Sequence, residues 1–381
     1  MHPMMKPALR RAWRDRQSVQ VGVTSAHAVT VGPVDTATGS LIELLDGTRG
    51  LDLLRAEART MGLPDGRADA LVGRLAAAGL LDDPTAGGPA ADSLRRRPGA
   101  LDRLRPDLAS LSVVHPEPGG AMRRLAARRA VRVQVRGAGR VGALVAATLS
   151  SAGVGRVEVL DGGFTEPGDV TPGGLAPEEI GQRRDAAARR LVRRSAPDRP
   201  PRRAEVAEPG GGEPALALVV VAPRDGLDAY APDPLPAEDW IAAGIPHLYA
   251  GVVEATGVVG PLVVPGSTAC AGCLERCRTE RDPARSILLA QWRSGRRAAV
   301  PSACDAALAT TVAGLTACHA VSFLDGDLPA SADARWEVSL PSVRWRSERI
   351  SAHAECPCGA AGRTETRHTS GFGPTHETMA G

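Results

Sequence analysis

Hydrophobic and polar positions change period several times along the chain. Residues 18 to 34, SVQVGVTSAHAVTVGPV, alternate in short β-prone runs around a turn, which predicts a hairpin. DTATGSLIELLDG follows at a helical period, with Asp35 or Thr36 placed as N-cap, Leu41, Leu44 and Leu45 on one face and Gly47 as the stop. Two further helical patterns, LDLLRAEARTMG and RADALVGRLAAAGLLDD, complete a small α+β unit of a hairpin and three short helices over residues 1–83.

The next stretch loses its period. PTAGGPAADSLRRRPG at 84 to 99 has linker composition and Pro116 to Gly120 make a second break, so residues 84–119 read as a linker. A second unit over 120–358 then opens with a strand carrying Val131, Val133 and Val135, a glycine turn, an apolar helix ending at Gly153, and a second strand, RVEVLD, ending in Asp161. ALALVVVAPRDG supplies a fourth strand. From Gly359 the chain is polar without periodicity, so 359–381 reads as a disordered tail. The fold class expected is α/β: a Rossmann-like domain preceded by a small winged-helix α+β domain.

Length and charge narrow the field. At 381 residues the chain is long enough for two cores, and 43% hydrophobic residues suffice to fill them. A net charge of +3 argues against nucleic-acid and polybasic membrane partners, so runs such as Arg95-Arg96-Arg97 and Arg193-Arg194 read as solvated faces. Lys6 is the only lysine, which excludes any mechanism that needs an ammonium group further along, such as a Schiff base or a P-loop lysine. No apolar run is read as approaching the roughly 18 residues of a membrane span, and MHPMMKPALRRAWRDRQ has neither apolar core nor cleavage site; a cytoplasmic protein is expected. Seven cysteines, with two close pairs far apart, point to metal binding rather than to a disulfide framework.

Gly137, Gly139 and Gly142 in GAGRVG stand between a strand and a helix, where glycine permits a tight turn, close approach of backbone to phosphate, and packing of helix on sheet. Asp161 ends the second strand, where a ribose-binding acid sits. Dinucleotide-dependent oxidoreductases carry the same fingerprint, so these residues alone do not choose the ligand. Cys304, Cys318 and His319 lie in SACDAALATTVAGLTACHA, an apolar helical stretch where small or buried core roles are the ordinary expectation.

AGVG between the first helix and RVEVLD, the later GPLVVPGSTACAGC and the ending HAECPCG together resemble the ThiF/MoeB and ubiquitin-activating superfamily, from about 120 to 359. That resemblance implies an ATP/Mg site with a pattern near D-x-D-x-V-E-x-S-N-L-x-R-Q after the second strand. Asp161 and Glu166 match it, whereas Gly163, Gly168, Asp169, Pro172 and Gly173 replace an acid, serine, asparagine, arginine and glutamine. Where the family expects a lysine, Arg184 stands. Where D-x-T-D-N holds magnesium, Val221 replaces the first acid and Arg224 falls on the second, with Asp225 available one residue later. Loss of several clamps on a polyphosphate implies a scaffold that does not adenylate. The resemblance also implies a structural zinc on Cys270, Cys273, Cys356 and Cys358, with Cys277 or His353 as substitute ligands because C-x-C departs from the usual C-x2-C.

The phrases ELLDGTRGLDLL and LVGRLAAAGLLDD, over about residues 16 to 83, resemble PqqD-like RiPP recognition elements, winged-helix domains that hold the leader of a precursor peptide as an added strand. With only Arg67 and Arg74 on 67 to 80, a DNA-reading helix is not expected. The two resemblances in one chain are those of the TOMM precursor leader peptide-binding proteins. They imply capture of a precursor leader and its presentation to a YcaO-type cyclodehydratase that consumes ATP. The alternative they leave open is an adenylyltransferase that activates the C-terminus of a peptide or sulfur carrier, with Gly137, Gly139, Gly142, Asp161, Arg184 and Asp225 at the nucleotide. Pairing of two chains as a homodimer is also left open.

Overall fold

A computed structural model describes residues 1–198, 214–294 and 302–362. The chain divides into two compact units, with Met1–Ala127 in the first and the described residues from Arg128 onward in the second.

The first unit opens with β1 (Met4–Met5), β2 (Arg11–Trp13), β3 (Val19–Val21) and β4 (Val29–Val31), continues through α1 (Thr36–Glu43), α2 (Leu51–Thr60) and α3 (Arg67–Ala77), and returns as β5 (Leu81–Asp82). The strands β2, β3 and β4 form an antiparallel sheet in that order, and β1 pairs with β5. Asp35 caps α1, its side chain accepting from the Thr38 N–H at 2.7 Å. Val21 of β3, Val34 after β4, Leu41, Leu54 and Leu75 of the three helices and Leu81 of β5 meet in one core. The hairpin read at 18 to 34 is therefore present as β3 and β4, with β2 as a third strand that its short, exposed sequence did not announce.

Residues 84–119 are not a linker. They carry α4 (Gly88–Arg95), α5 (Pro98–Arg103) and α6 (Arg105–Val114), and α7 (Gly120–Arg128) follows. Ala91, Leu94, Leu104, Leu111, Met122 and Leu125 form a second core in this unit. Of the prolines that suggested a break, Pro89 and Pro98 sit in the first turns of α4 and α5, where the missing N–H has no helical partner to lose. Lys6, the sole lysine, is buried and donates to the His115 carbonyl at 3.1 Å, tying β1 to the end of α6. Burial lowers its pKa, against the opposing pull of Asp82 and Glu117.

The second unit contains β6 (Arg132–Arg136), α8 (Arg140–Ser151), β7 (Arg156–Leu160), α9 (Arg184–Ser195), β8 (Leu216–Val221), α10 (Gly226–Tyr230), α11 (Leu235–Ala242), β9 (His247–Val253), β10 (Thr256–Val263), α12 (Ala271–Arg281), α13 (Arg285–Ser294), α14 (Ala306–Leu324), β11 (Ala334–Ser339) and β12 (Arg344–Arg349). Its sheet runs β12-β11-β10-β9-β8-β6-β7, parallel from β7 to β9 and antiparallel beyond. Among the described residues β8 is the third strand of this unit in chain order, not the fourth. Since the chain runs from β6 to β7 on one side and to β8 on the other, the crevice at the carboxyl ends of β6 and β8 is a topological switch point, where open α/β sheets bind ligands.

The apolar helix α14 is long and apolar enough, by length and composition, to cross a membrane, contrary to the reading that no such run exists. Leu308, Ala309, Val312, Ala313, Thr316, Ala317 and Ala320 lie on one stripe and are buried with α8 and the sheet, which is the pattern of a core helix. The short 3-10 turn Ala360–Gly362 has Ala360 buried, and the rest of the tail read as disordered lies outside the described residues.

Candidate functional site

Two groups of residues in the second unit carry chemistry. The first is the glycine turn at the crevice. Gly137 has φ of 107°, and a Cβ there would fall 2.0 Å from the Ala222 carbonyl oxygen; one on Gly142 would fall 2.1 Å from that of Gly137. Both are fixed by backbone packing of turn against strand exit. Gly139 differs, because what a Cβ would meet is a side chain, Cγ of Arg224, at 2.8 Å. Arg224 lies across the turn.

The sequence places Asp161 and Arg184 at this turn, and the structure joins them. One Asp161 oxygen accepts from the Ala138 N–H and the other from Arg184 Nη1, each at 2.6 Å. Arg184 is buried and fully engaged: Nε donates to Asp169 at 3.1 Å, Nη1 also to the Gly162 carbonyl at 2.9 Å, and Nη2 to the Phe164 carbonyl at 2.6 Å. Asp169 completes the group, receiving Arg224 Nε at 2.7 Å on its second oxygen and the Glu166 N–H at 2.9 Å. Arg224 grips Glu166 through both terminal nitrogens, at 3.2 and 2.9 Å. The Arg224 guanidinium holds the Glu166 carboxyl below its ordinary range; burial works against the Arg224 charge, but Glu166 and Asp169 outweigh it and raise its pKa. Arg140, at the start of α8, donates to the Gly168 and Cys304 carbonyls, each at 2.7 Å. Cys304 thus borders the turn, with its thiol pushed up by burial.

Because β8 ends at Val221, the residues leaving the strand are Ala222-Pro223-Arg224-Asp225-Gly226. In the register read from the sequence, Val221 and Arg224 take the two acid places of D-x-T-D-N, and Asp225 follows one residue later. Asp225 is the N-cap of α10, accepting from the Leu227 N–H at 3.0 Å. Sequence reading missed Asp169 and Arg224 as members of the network; the signal was their opposite charges at two positions where the family pattern has an amide and an acid.

The second group is the four cysteines. Cys270 Sγ lies 3.8 Å from Cys273 and 3.5 Å from Cys356, Cys273 lies 3.5 Å from Cys358, and all four sulfurs are within 4.8 Å of one another and buried. Tetrahedral thiolate coordination of zinc, with Zn–S near 2.3 Å, requires sulfurs about 3.8 Å apart. A Cβ on Gly272 would stand 3.3 Å from Cys270 Sγ and 3.4 Å from Cys356 Sγ, so the residue between the first pair is kept small where the sulfurs converge. Four soft donors in a closed, buried set fit a structural zinc ion. The Cys270 thiol donates to Cys273 and, with the His353 N–H, holds its pKa down to about 4; Cys270 is correspondingly pushed up. Cys277 and His353 are not in the set. Cys277 Sγ faces the Ser351 carbonyl at 4.0 Å, and His353 Nε2 is 2.8 Å from Glu280.

A sequence profile of the ThiF family matches residues 116–359. No curated protein matches the chain. In fold the chain is similar to Escherichia coli MccB solved with ATP, at 16% identity and a TM-score of 0.66, covering 93% of this chain and 99% of that one. It is likewise similar to the microcin C7 biosynthetic enzyme MccB in complex with N-formylated MccA, at 15% identity and a TM-score of 0.65 over 94% and 99% of the two chains. Selenomethionyl PaaA is similar at 16% identity and a TM-score of 0.63, over 91% and 99%.

Proposed function

The chain belongs to the ThiF family, and on that premise we propose that it binds and presents the leader of a ribosomally made precursor peptide without adenylating it. The observation that carries this reading is that Arg184 and Arg224, beside the glycine turn, are already neutralised from within. Arg184 closes on Asp161 and Asp169, and Arg224 closes on Asp169 and Glu166 while covering Gly139. Adenylation drives two polyphosphate charges toward a carboxylate, so it depends on cations and a metal directed at those charges. With Val221 at the first acid, Arg224 at the second and Asp225 engaged as a helix cap, that machinery is reduced.

Peptide capture is assigned to the first unit, read as a PqqD-like recognition element. Its sheet ends at β4, whose outer side has no backbone hydrogen bond among the described residues, so an extended leader can add as a fourth strand. Arg74 of α3 donates to the Gly32 carbonyl at 2.9 Å and sets that helix beside the open edge. The precursor leader and a YcaO-type cyclodehydratase are the partners of this reading, zinc on Cys270, Cys273, Cys356 and Cys358 is its structural cofactor, and the cytoplasm is its setting. The similar fold of the microcin C7 biosynthetic enzyme MccB, solved in complex with N-formylated MccA, supports a capture role for such a fold.

Anisotropy titration of the full chain with the labelled leader of a Cys/Ser/Thr-rich precursor encoded beside it tests the reading. Alternate residues of β4 turn their N–H groups outward, so of Val29→Pro and Thr30→Pro the one that removes an outward donor is expected to weaken binding at least tenfold while the circular dichroism is unchanged. Undiminished binding by both would refute capture at β4. Asp225, one residue beyond the second acid of the magnesium pattern, is the carboxylate that the adenylating reading would use.

A further inference from the structure

Among the described residues β12 is the far edge of the seven-stranded sheet. It pairs with β11 from Ala334↔Arg349 to Ser339↔Arg344, and its other side has no backbone hydrogen bond. Every residue of the strand except Glu348 is exposed. Arg344, Arg346 and Arg349 have no carboxylate partner among the described residues, which sets them apart from the arginines beside them. Glu348, the strand's one acid, is held by Arg278 and Arg281, and Glu337, opposite Arg346, is 2.9 Å from Arg335. Trp345 stands between two of the unpaired arginines, 39% exposed, over the fully buried Val338.

We propose that β12 is a docking edge for an extended, acidic polypeptide segment, added as an eighth strand. Open backbone groups give the pairing, since alternate residues of an edge strand turn their N–H and C=O outward. Side chains give the selection. Arg344 and Arg346 share one face of the strand at the two-residue period of an added strand's own side chains, while Trp345 and Arg349 serve the other. A protective edge needs only the charges; an indole half out of the sheet at its centre adds apolar contact area that protection does not call for. A second copy of β12 is a poor occupant, because self-pairing would bring three arginines from each strand to one seam with no free carboxylate between them. The edge lies in the second unit and rests on residues that play no part in the leader reading.

The test uses the full chain and a fluorescein-labelled seven-residue peptide alternating Glu and Val. Binding is expected in low salt and weakens as salt rises, and the Lys/Val counterpart does not bind. Arg344→Glu/Arg346→Glu is expected to lower affinity at least tenfold and Trp345→Ala several-fold, whereas Arg96→Glu/Arg276→Glu, with the same charge change elsewhere, has a far smaller effect. The peptide N-methylated at alternate residues is expected to lose binding, since it cannot pair with an edge. Equal losses in the two double variants, or undiminished binding of the N-methylated peptide, would overturn the proposal. So would a 20-mer oligothymidine that binds as tightly through the same arginines, or self-association in sedimentation that Arg344→Glu/Arg346→Glu abolishes. Thr30→Pro is expected to leave this binding unchanged, which separates it from leader capture at β4.

Discussion

The glycine turn and the cysteine cluster lie in one unit, and both match family patterns, yet they are in opposite states. At the turn every strong donor and acceptor has found a partner inside the protein: Arg184, Arg224, Asp161, Asp169 and Glu166 satisfy one another. At the cluster four sulfurs converge on one another through weak thiol contacts. A pattern of residues tells where a site is; whether it awaits a ligand depends on whether its polar groups are already matched. On the function proposed above, the cluster is built for an ion and the turn has become part of the scaffold.

Breaking the cluster should have the largest effect. Structural zinc contributes on the order of 10 kcal/mol of binding free energy, which is folding free energy wherever the site forms only on folding. Cys273→Ser and Cys358→Ser are each expected to abolish the equivalent of zinc carried by the wild type and to lower the thermal midpoint sharply, while Cys304→Ser keeps a full equivalent. Elemental analysis beside a thermal melt reads both. A Cys358→Ser protein with full zinc would break the comparison from its open side.

Breaking the turn should come next. Arg184→Ala leaves Asp161 buried without its cation and Asp169 with Arg224 alone, a loss of about 3–5 kcal/mol in urea unfolding. Arg224→Ala should cost less than about 1 kcal/mol, because Arg224 and Glu166 reach solvent. A large effect of Arg224 and a small one of Arg184 would reverse the roles assigned to them.

Between these lies a pH effect that serves as a control on the core under α11. His247 is buried between Trp240 and Tyr249, and burial lowers its pKa to about 4. A histidine with a depressed folded pKa stabilises the fold above its unfolded pKa and loses that contribution as pH falls toward the folded value. From pH 7 to 5 the loss is about 2 kcal/mol. It should be absent in His247→Gln, as read by urea midpoints at the two pH values.

Much of the second unit was legible because its signals are local: valines at alternate positions, glycines at the turn, cysteines in close pairs. The helical stretch after Asp83 was misread because Pro89 and Pro98 suggest breaks to a reader of composition, whereas in a first turn they start helices. The cluster's four ligands were nameable, but excluding Cys277 and His353 needed their distances to Ser351 and Glu280. The network at the turn was beyond reach for a different reason. Asp169 and Arg224 are 55 residues apart, and only the fold puts Arg224 over Gly139.

ATP–pyrophosphate exchange in the presence of the precursor peptide tests the central claim most directly. The account predicts no peptide-dependent exchange above background for the wild type, and the same for Asp225→Ala. A robust exchange signal that requires the peptide and disappears in Asp225→Ala would contradict it and make the glycine turn an active adenylation site.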